Sequence, residues 1–146
     1  MIGSSGSPAT PPPVVTDASV WVSFFVAADA NHTSSRNWLD NHTGAGGMLV
    51  APALLLAEVA AAISRRLGRP QFALHAAGTL SSFVPLRIVQ MDATLITEAT
   101  NIAANYGLRG AGAIYVAVAK QVGIPLLTWD KEQLTRPASI ISAITP

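Results

Sequence analysis

The stretch from Leu108 to Asp130, LRGAGAIYVAVAKQVGIPLLTWD, predicts a helix, a tight turn and a buried strand that ends on a carboxylate. Apolar residues lie on nearly all sides of this helix from Ala111 onward, which predicts a helix inside the protein. Gly123 ends the helix, because glycine takes the left-handed cap conformation without steric cost. The run IPLLTW is typical of a central parallel strand covered on both faces. Asp130 follows at the carboxyl end of this strand, where open α/β sheets bind ligands.

Strands and helices alternate along the rest of the chain. We predict further strands at VVT, MLVAP, LRIVQM and ASIISAI, separated by segments with helical periodicity or helical start and stop residues. This alternation implies right-handed crossovers and a parallel sheet packed on both faces. The sequence therefore predicts the α/β class, with a central, mostly parallel sheet of four to five strands.

Length and composition limit the possible classes of protein. The chain has 146 residues, of which 50% are hydrophobic and 12% are charged, and this suits one domain with a proper core. The absence of cysteine excludes disulfide and thiolate chemistry and suits the cytoplasm. We see no membrane span and no secretory signal, so no membrane partner is expected. Residues 1–13 are expected to be a disordered tail or a cloning remnant, and residues 14–146 a single domain.

Three of the eight acidic residues stand out by their position. Asp17 and Asp130 each end an apolar strand, so both should emerge at the same edge of a parallel sheet. Glu58 lies in the middle of an apolar helix, where an unpaired ionised carboxylate is costly to bury. Three carboxylates without cysteine favour a hard cation, Mg²⁺ or Mn²⁺, over zinc.

Each of these acids also has a structural explanation. Asp17 can cap the helix that follows it, and Asp130 can open the turn into KEQL. Glu58 can pair with Arg65 or Arg66 farther along its own helix. Taken singly these explanations are the commoner ones, whereas two strand-end acids together with one buried helical acid favour a site.

Four segments, VVTDASVWV, LLLAEVAAAI, LRGAGAIYVAVA and IPLLTWDKEQL, occur in this order between Val14 and Ile144. Together they resemble the signature segments of PIN-domain ribonucleases, and most closely in style those of the VapC toxins of toxin–antitoxin pairs. The resemblance implies a three-layer α/β/α sandwich that cleaves RNA with Mg²⁺ or Mn²⁺ held by a cluster of acids. It also implies a cognate antitoxin, whose tail occupies the active-site groove, and a homodimer.

The resemblance assigns roles to particular residues. Asp17, Glu58 and Asp130 match family acids that bind the metal and take part in catalysis. Thr128 matches a position that is often a hydroxyl residue and helps to orient the metal site. Ser19 matches a small polar residue beside the first acid, which would lie at the substrate, and it is equally well explained as a helix N-cap.

One position departs from the family pattern. The family has approximately LRGADAIYVA where this chain has LRGAGAIYVA, so Gly112 stands in place of an acid. Nothing in the local sequence requires this glycine, which costs about 1 kcal/mol of helix propensity relative to alanine. We predict weaker Mg²⁺ binding and strongly reduced cleavage, because a cluster with one carboxylate fewer attracts a cation less. Gly112 is either an introduced substitution that disarms a nuclease or a natural residue of a domain that binds without cutting.

Other expectations concern the substrate and the competing functions. Arg109 is close to the missing acid, and we expect it to hold the substrate phosphates. A catalytically inactive PIN-like module that binds RNA or protein is the main alternative. A nucleotide-binding α/β domain is disfavoured, because no glycine-rich phosphate loop follows the first strand. Three histidines lack metal-ligand spacing and are expected at the surface: His32, His42 and His75.

Overall fold

The sheet is built from short, mostly apolar strands. The computed structural model describes residues 9–146, in which five strands form one sheet. The strands are β1 (Val14–Thr16), β2 (Leu49–Pro52), β3 (Leu86–Val89), β4 (Leu126–Leu127) and β5 (Ala143–Ile144). Their order is β3-β2-β1-β4-β5, and every neighbouring pair is parallel. The first strand is central, with Val15 opposite Val50 on one side and Leu126 on the other.

Seven helices flank this sheet within the same residues. They are α1 (Ala18–Phe25), α2 (His32–Gly44), α3 (Leu54–Leu67), α4 (Pro70–Ser81), α5 (Ala93–Tyr106), α6 (Gly110–Val122) and α7 (Lys131–Thr135). The contacts between helices form two groups: α1 to α4 pack among themselves, and α5 packs on α6. The predicted α/β/α sandwich is confirmed, and its sheet is entirely parallel.

Helix α6 lies inside the protein, as its nearly all-apolar sequence predicts. It packs on α5 and contacts β1, β2 and β4, and its buried residues include Val116, Ala117 and Val118. Gly123 ends the helix at φ 71°, in the left-handed region that favours glycine. The helix therefore holds its first turn in a fixed position beside the carboxyl ends of β1 and β4.

Two predictions from the sequence were wrong, and a third concerns residues that the structure describes only in part. The last strand is confined to Ala143–Ile144, because residues 138–140 of the predicted run form a turn and residue 141 a bend. His42 is buried rather than exposed: its Nε2 lies 2.9 Å from the Met48 carbonyl oxygen, and its ring stacks on Trp38. Of the predicted tail, residues 1–8 lie outside the described part, and residues 9–13 contain no helix or strand. Between residues 9 and 146, no helix has the length and hydropathy to cross a membrane.

Candidate active site

Two strand ends meet at one hydroxyl group. Because β1 pairs with β4, Asp17 and Thr128 leave the sheet side by side. Thr128 is fully buried, and its Oγ1 donates to Asp17 Oδ2 at 2.5 Å. Thr128 Oγ1 also accepts a hydrogen bond from the backbone N–H of Asp130 at 2.9 Å. Thr128 thereby connects the Asp17 side chain to the backbone of Asp130.

Asp17 is a helix cap and a buried acid at once. Its Oδ1 accepts from the Val20 N–H at 3.3 Å, so Asp17 rather than Ser19 caps α1. Ser19 Oγ also donates to Oδ1, at 2.6 Å, and accepts from the Trp129 N–H at 3.0 Å. Burial raises the pKa of Asp17 to about 6, the hydrogen bonds from Ser19, Thr128 and Val20 oppose this change, and the charge of Asp130 adds to it. A carboxylate this deeply buried favours a proton or a cation beside it.

Asp130 also combines a cap with a possible ligand. Its Oδ1 accepts from the backbone N–H groups of Glu132 at 2.9 Å and Gln133 at 3.1 Å, which opens α7. Its second oxygen, Oδ2, forms no hydrogen bond within residues 9–146. The structural explanation of Asp130 is therefore correct, and it still leaves one carboxylate oxygen for a ligand.

Glu58 is held by a tyrosine rather than by an arginine. The hydroxyl of Tyr115, on α6, donates to Glu58 Oε1 at 2.5 Å. Arg66 pairs instead with Asp29, at 2.5 Å, so the alternative of an Arg66–Glu58 pair is wrong. Burial and the neighbouring Glu58 carboxylate raise the pKa of Tyr115, which therefore stays protonated as a donor. This hydrogen bond fixes Glu58 against the first turns of α6.

One pocket of about 160 Å³ brings these groups together. It is lined by Asp17, Ala18, Ser19, Glu58, Leu108, Arg109, Ala111, Gly112, Tyr115, Asp130, Glu132 and Gln133. All three predicted acids line this pocket, as do Gly112 and the two residues expected at the substrate. Thr128 does not line it and lies beneath it, bonded to Asp17.

Three polar residues of the pocket were not predicted from the sequence: Tyr115, Glu132 and Gln133. Tyr115 follows Gly112 by one helical turn, so it faces the same side of α6. Glu132 follows Asp130 by two residues and forms an ion pair with Arg136 at 3.2 Å. Its position two residues after a predicted site acid was a usable signal. Nothing in the sequence singles out Gln133.

Gly112 is under a constraint that the sequence did not reveal. A Cβ atom at this position would lie 3.1 Å from Gln133 Nε2 and 3.5 Å from its Cγ. A side chain at position 112 therefore requires the Gln133 side chain to give way by a few tenths of an ångström. The neighbour that a side chain at position 112 would meet belongs to α7, so no local sequence pattern indicates this contact.

The oxygen atoms of the pocket suit a hard cation held partly through water. Within residues 9–146, no group of three or more His, Cys, Asp or Glu side chains stands ready to hold one metal ion. Mg²⁺, however, usually keeps several waters and contacts one or two carboxylates. Asp17 and Asp130 supply two such carboxylates, and the buried Oε1 of Gln133 has no hydrogen-bond partner. The donor set, all oxygen without sulfur, fits Mg²⁺ or Mn²⁺ better than zinc.

A PIN-domain family model matches residues 14–138, so this chain belongs to the PIN-domain family. The fold is also that of solved toxin structures. VapC20 of Mycobacterium tuberculosis, described as a sarcin–ricin loop cleaving toxin, is 21% identical with a TM-score of 0.76, over 91% of this chain and 99% of that one. A toxin–antitoxin complex from Klebsiella pneumoniae is 15% identical with a TM-score of 0.65, over 91% and 97%.

VapBC2 of Rickettsia felis, bound to a DNA fragment from its promoter, is a third similar structure. It is 9% identical, with a TM-score of 0.65, over 92% of this chain and 98% of that one. None of the curated proteins matches this chain by sequence. The resemblance to PIN domains that the four segments indicated is confirmed, and the fold is shared with VapC toxins.

Proposed function

We propose that this chain is a metal-dependent endoribonuclease, the toxin of a toxin–antitoxin pair, whose activity is weakened by Gly112. The observation that carries the proposal is the pocket itself. Asp17, Glu58 and Asp130 come from three separate elements and line one cavity together with Arg109. A structural explanation of each acid alone does not account for their meeting at one place in a PIN domain.

Each side chain has a part in phosphodiester hydrolysis. Mg²⁺ or Mn²⁺, when bound, would activate water and offset the negative charge that develops on the phosphate. Asp17 and Asp130 would hold that cation, and Thr128 bonds the Asp17 carboxylate and the Asp130 backbone N–H. Glu58, held by Tyr115, would add a third carboxylate on the α3 side of the pocket.

Substrate binding falls to the rim of the pocket. Arg109 is exposed and lines the pocket, so its guanidinium is available for a phosphate. Ser19 is less available, because its hydroxyl is occupied by Asp17 and by the Trp129 N–H. We assign Ser19 to orienting Asp17 first, with substrate contact as its second role.

The partners follow from the same assignment. The similar Klebsiella pneumoniae structure is a toxin–antitoxin complex, and we infer that a cognate antitoxin covers the pocket of this chain in the cytoplasm. We also infer a homodimer, which is what the resemblance to VapC toxins implies. Multi-angle light scattering on the purified chain tests this, and a monomer at all concentrations would contradict it.

Cleavage of RNA tests the proposal directly. Three proteins are compared with Mn²⁺ or Mg²⁺: the parent chain, Gly112→Asp, and Gly112→Asp combined with Asp17→Ala. We expect the single variant to cleave faster than the parent, because it restores the missing carboxylate. The added Asp17→Ala should abolish that cleavage. Equal rates for the parent and Gly112→Asp would show that Gly112 does not impair the site, and no cleavage by either would contradict a nuclease.

A second function, an inactive PIN-like module that binds RNA or protein, is favoured by one observation. Gly112 offers no ligand, and no three acids stand ready to hold a metal within the described residues. Such a module would bind RNA equally well in EDTA and in Mn²⁺ and would cleave in neither. Electrophoretic mobility shifts run beside the cleavage assay separate the two functions.

A further inference from the structure

Gln133 stands where the missing side chain of position 112 would lie. Its Nε2 is 3.1 Å from the place that a Gly112 Cβ would occupy, and its Cγ and Cδ are within 3.6 Å of it. Gln133 is only 6% exposed and lines the same pocket as the three acids. The long side chain of Gln133 on α7 therefore occupies space that the absence of a side chain at Gly112 on α6 leaves free.

The carboxamide oxygen of Gln133 can accept a hydrogen bond or bind a cation. Its Oε1 is buried and has no hydrogen-bond partner within the described chain. A buried acceptor without a partner costs free energy, and in native proteins such a group is explained by strain, a catalytic role, or a bound water or ion. The last torsion of a glutamine side chain is broad, so a rotation can exchange the positions of Nε2 and Oε1. That rotation presents Oε1 next to Gly112, where the acid of the family would be.

The backbone of Gln133 is already tied to the site. Its N–H donates to Asp130 Oδ1 at 3.1 Å, as part of the cap of α7. The side chain therefore starts from a point that is fixed relative to the acids. A glutamine anchored in this way has the preorganisation that a cation ligand needs.

We propose that the Gln133 carboxamide oxygen is a neutral ligand for the divalent cation and replaces the carboxylate missing at Gly112. Carbonyl and carboxamide oxygens are ordinary ligands of hard cations. The residues that would hold the cation are then the two strand-end acids and Gln133, with Glu58 lining the same pocket. This inference rests on the proposed metal site, and it adds a ligand that the family pattern does not supply.

The arrangement makes positions 112 and 133 interdependent. An aspartate at position 112 competes with Gln133 for one volume, so Gly112→Asp gains a charge and displaces the amide. We expect the combination of Gly112→Asp with Gln133→Ala to bind Mn²⁺ more tightly than Gly112→Asp alone, because the new carboxylate then has room to reach the cation.

Titration of the purified chain with MnCl₂, followed by calorimetry and by electron paramagnetic resonance of free Mn²⁺, tests the ligand role without any RNA. Gln133→Met keeps a side chain of similar length and removes the oxygen, whereas Gln133→Glu keeps the oxygen and adds charge. We expect about tenfold weaker Mn²⁺ binding for Gln133→Met and binding at least as tight as the parent's for Gln133→Glu. Thermal unfolding in EDTA should give the parent and Gln133→Met similar melting temperatures, which separates ligation from packing.

The outcomes distinguish the two proposals. Binding that is lost in Asp17→Asn but unchanged in Gln133→Met would overturn the role of Gln133 and leave the metal-dependent nuclease intact. A parent chain whose Mn²⁺ binding does not depend on Asp17 would overturn both. A tenfold loss in Gln133→Met, with folding in EDTA unchanged, would establish the amide ligand.

Discussion

Asp17 gives a pH dependence of stability whose sign is unusual for an aspartate. Its pKa is raised from 3.8 to about 6 in the folded chain, chiefly by burial. Between these two values the folded chain holds a proton that the unfolded chain has lost. The free energy of unfolding of the metal-free protein therefore falls as the pH rises through this window. Since one pKa unit corresponds to about 1.4 kcal/mol, the loss is about 3 kcal/mol above pH 6.

Asp17→Asn should remove this penalty. The amide is neutral, and it can keep a hydrogen bond from Ser19 or Val20 on its oxygen. At pH 7.5 in EDTA we expect the variant to be more stable than the parent by about 1–3 kcal/mol, the lower figure allowing for weaker hydrogen bonds to a neutral amide. Urea unfolding at several pH values between 4 and 8 measures both proteins.

Asp92→Asn is the matched control. Asp92 caps α5 by accepting from the Leu95 N–H at 2.8 Å, but its side chain is exposed. The same substitution there changes a cap without changing a buried charge, so the pH dependence of stability should stay that of the parent. Lower stability of Asp17→Asn than of the parent at pH 7.5 in EDTA would refute the reasoning, as would a parent whose stability does not fall between pH 4 and 7.

Two further predictions concern packing and hydrogen bonding. Thr128→Val removes the donor to Asp17 and should lower the free energy of unfolding, measured in urea, by about 2–3 kcal/mol. Thr128→Ser keeps the hydroxyl and should lower it less. The opposite ranking would contradict the role of this hydroxyl. Gly47→Ala would place a Cβ 2.5 Å from His42 Nε2 and should cost about 1–3 kcal/mol. Gly44→Ala is the control, because its Cβ would meet nothing within 4 Å, and it should be neutral or slightly stabilising. Thermal unfolding curves that coincide for the two alanine variants would contradict the close packing of Gly47 on His42.

The two strand-end acids could be predicted because the information is local. An apolar run that ends on an acid marks a buried strand and the edge where it emerges, and parallel strands emerge at one edge. That rule placed Asp17 and Asp130 together without knowledge of the strand order. Their direct connection through Thr128 depends on the pairing of β1 with β4, which no local pattern indicates.

The rest of the site depends on how helices are placed relative to one another. Glu58 and Tyr115 are 57 residues apart and meet only because α3 and α6 both approach the pocket. Gln133 reaches Gly112 from a helix of five residues, too short to show a periodic pattern. The absence of an acid at Gly112 could be predicted as a departure from the family pattern, whereas the side chain that fills the space beside it could not be predicted from the sequence.

The central position of β1 affects when the site can exist during synthesis. Asp17 and the hydroxyl of Thr128 that it bonds are separated by 111 residues. At roughly 5–20 residues per second, the ribosome needs on the order of ten seconds to pass from one to the other. During that time β1 can pair with β2, but its other edge has no partner strand. A nascent chain that ends before Leu126 lacks Thr128, Asp130 and Gln133, so the pocket forms only after these residues have been synthesised.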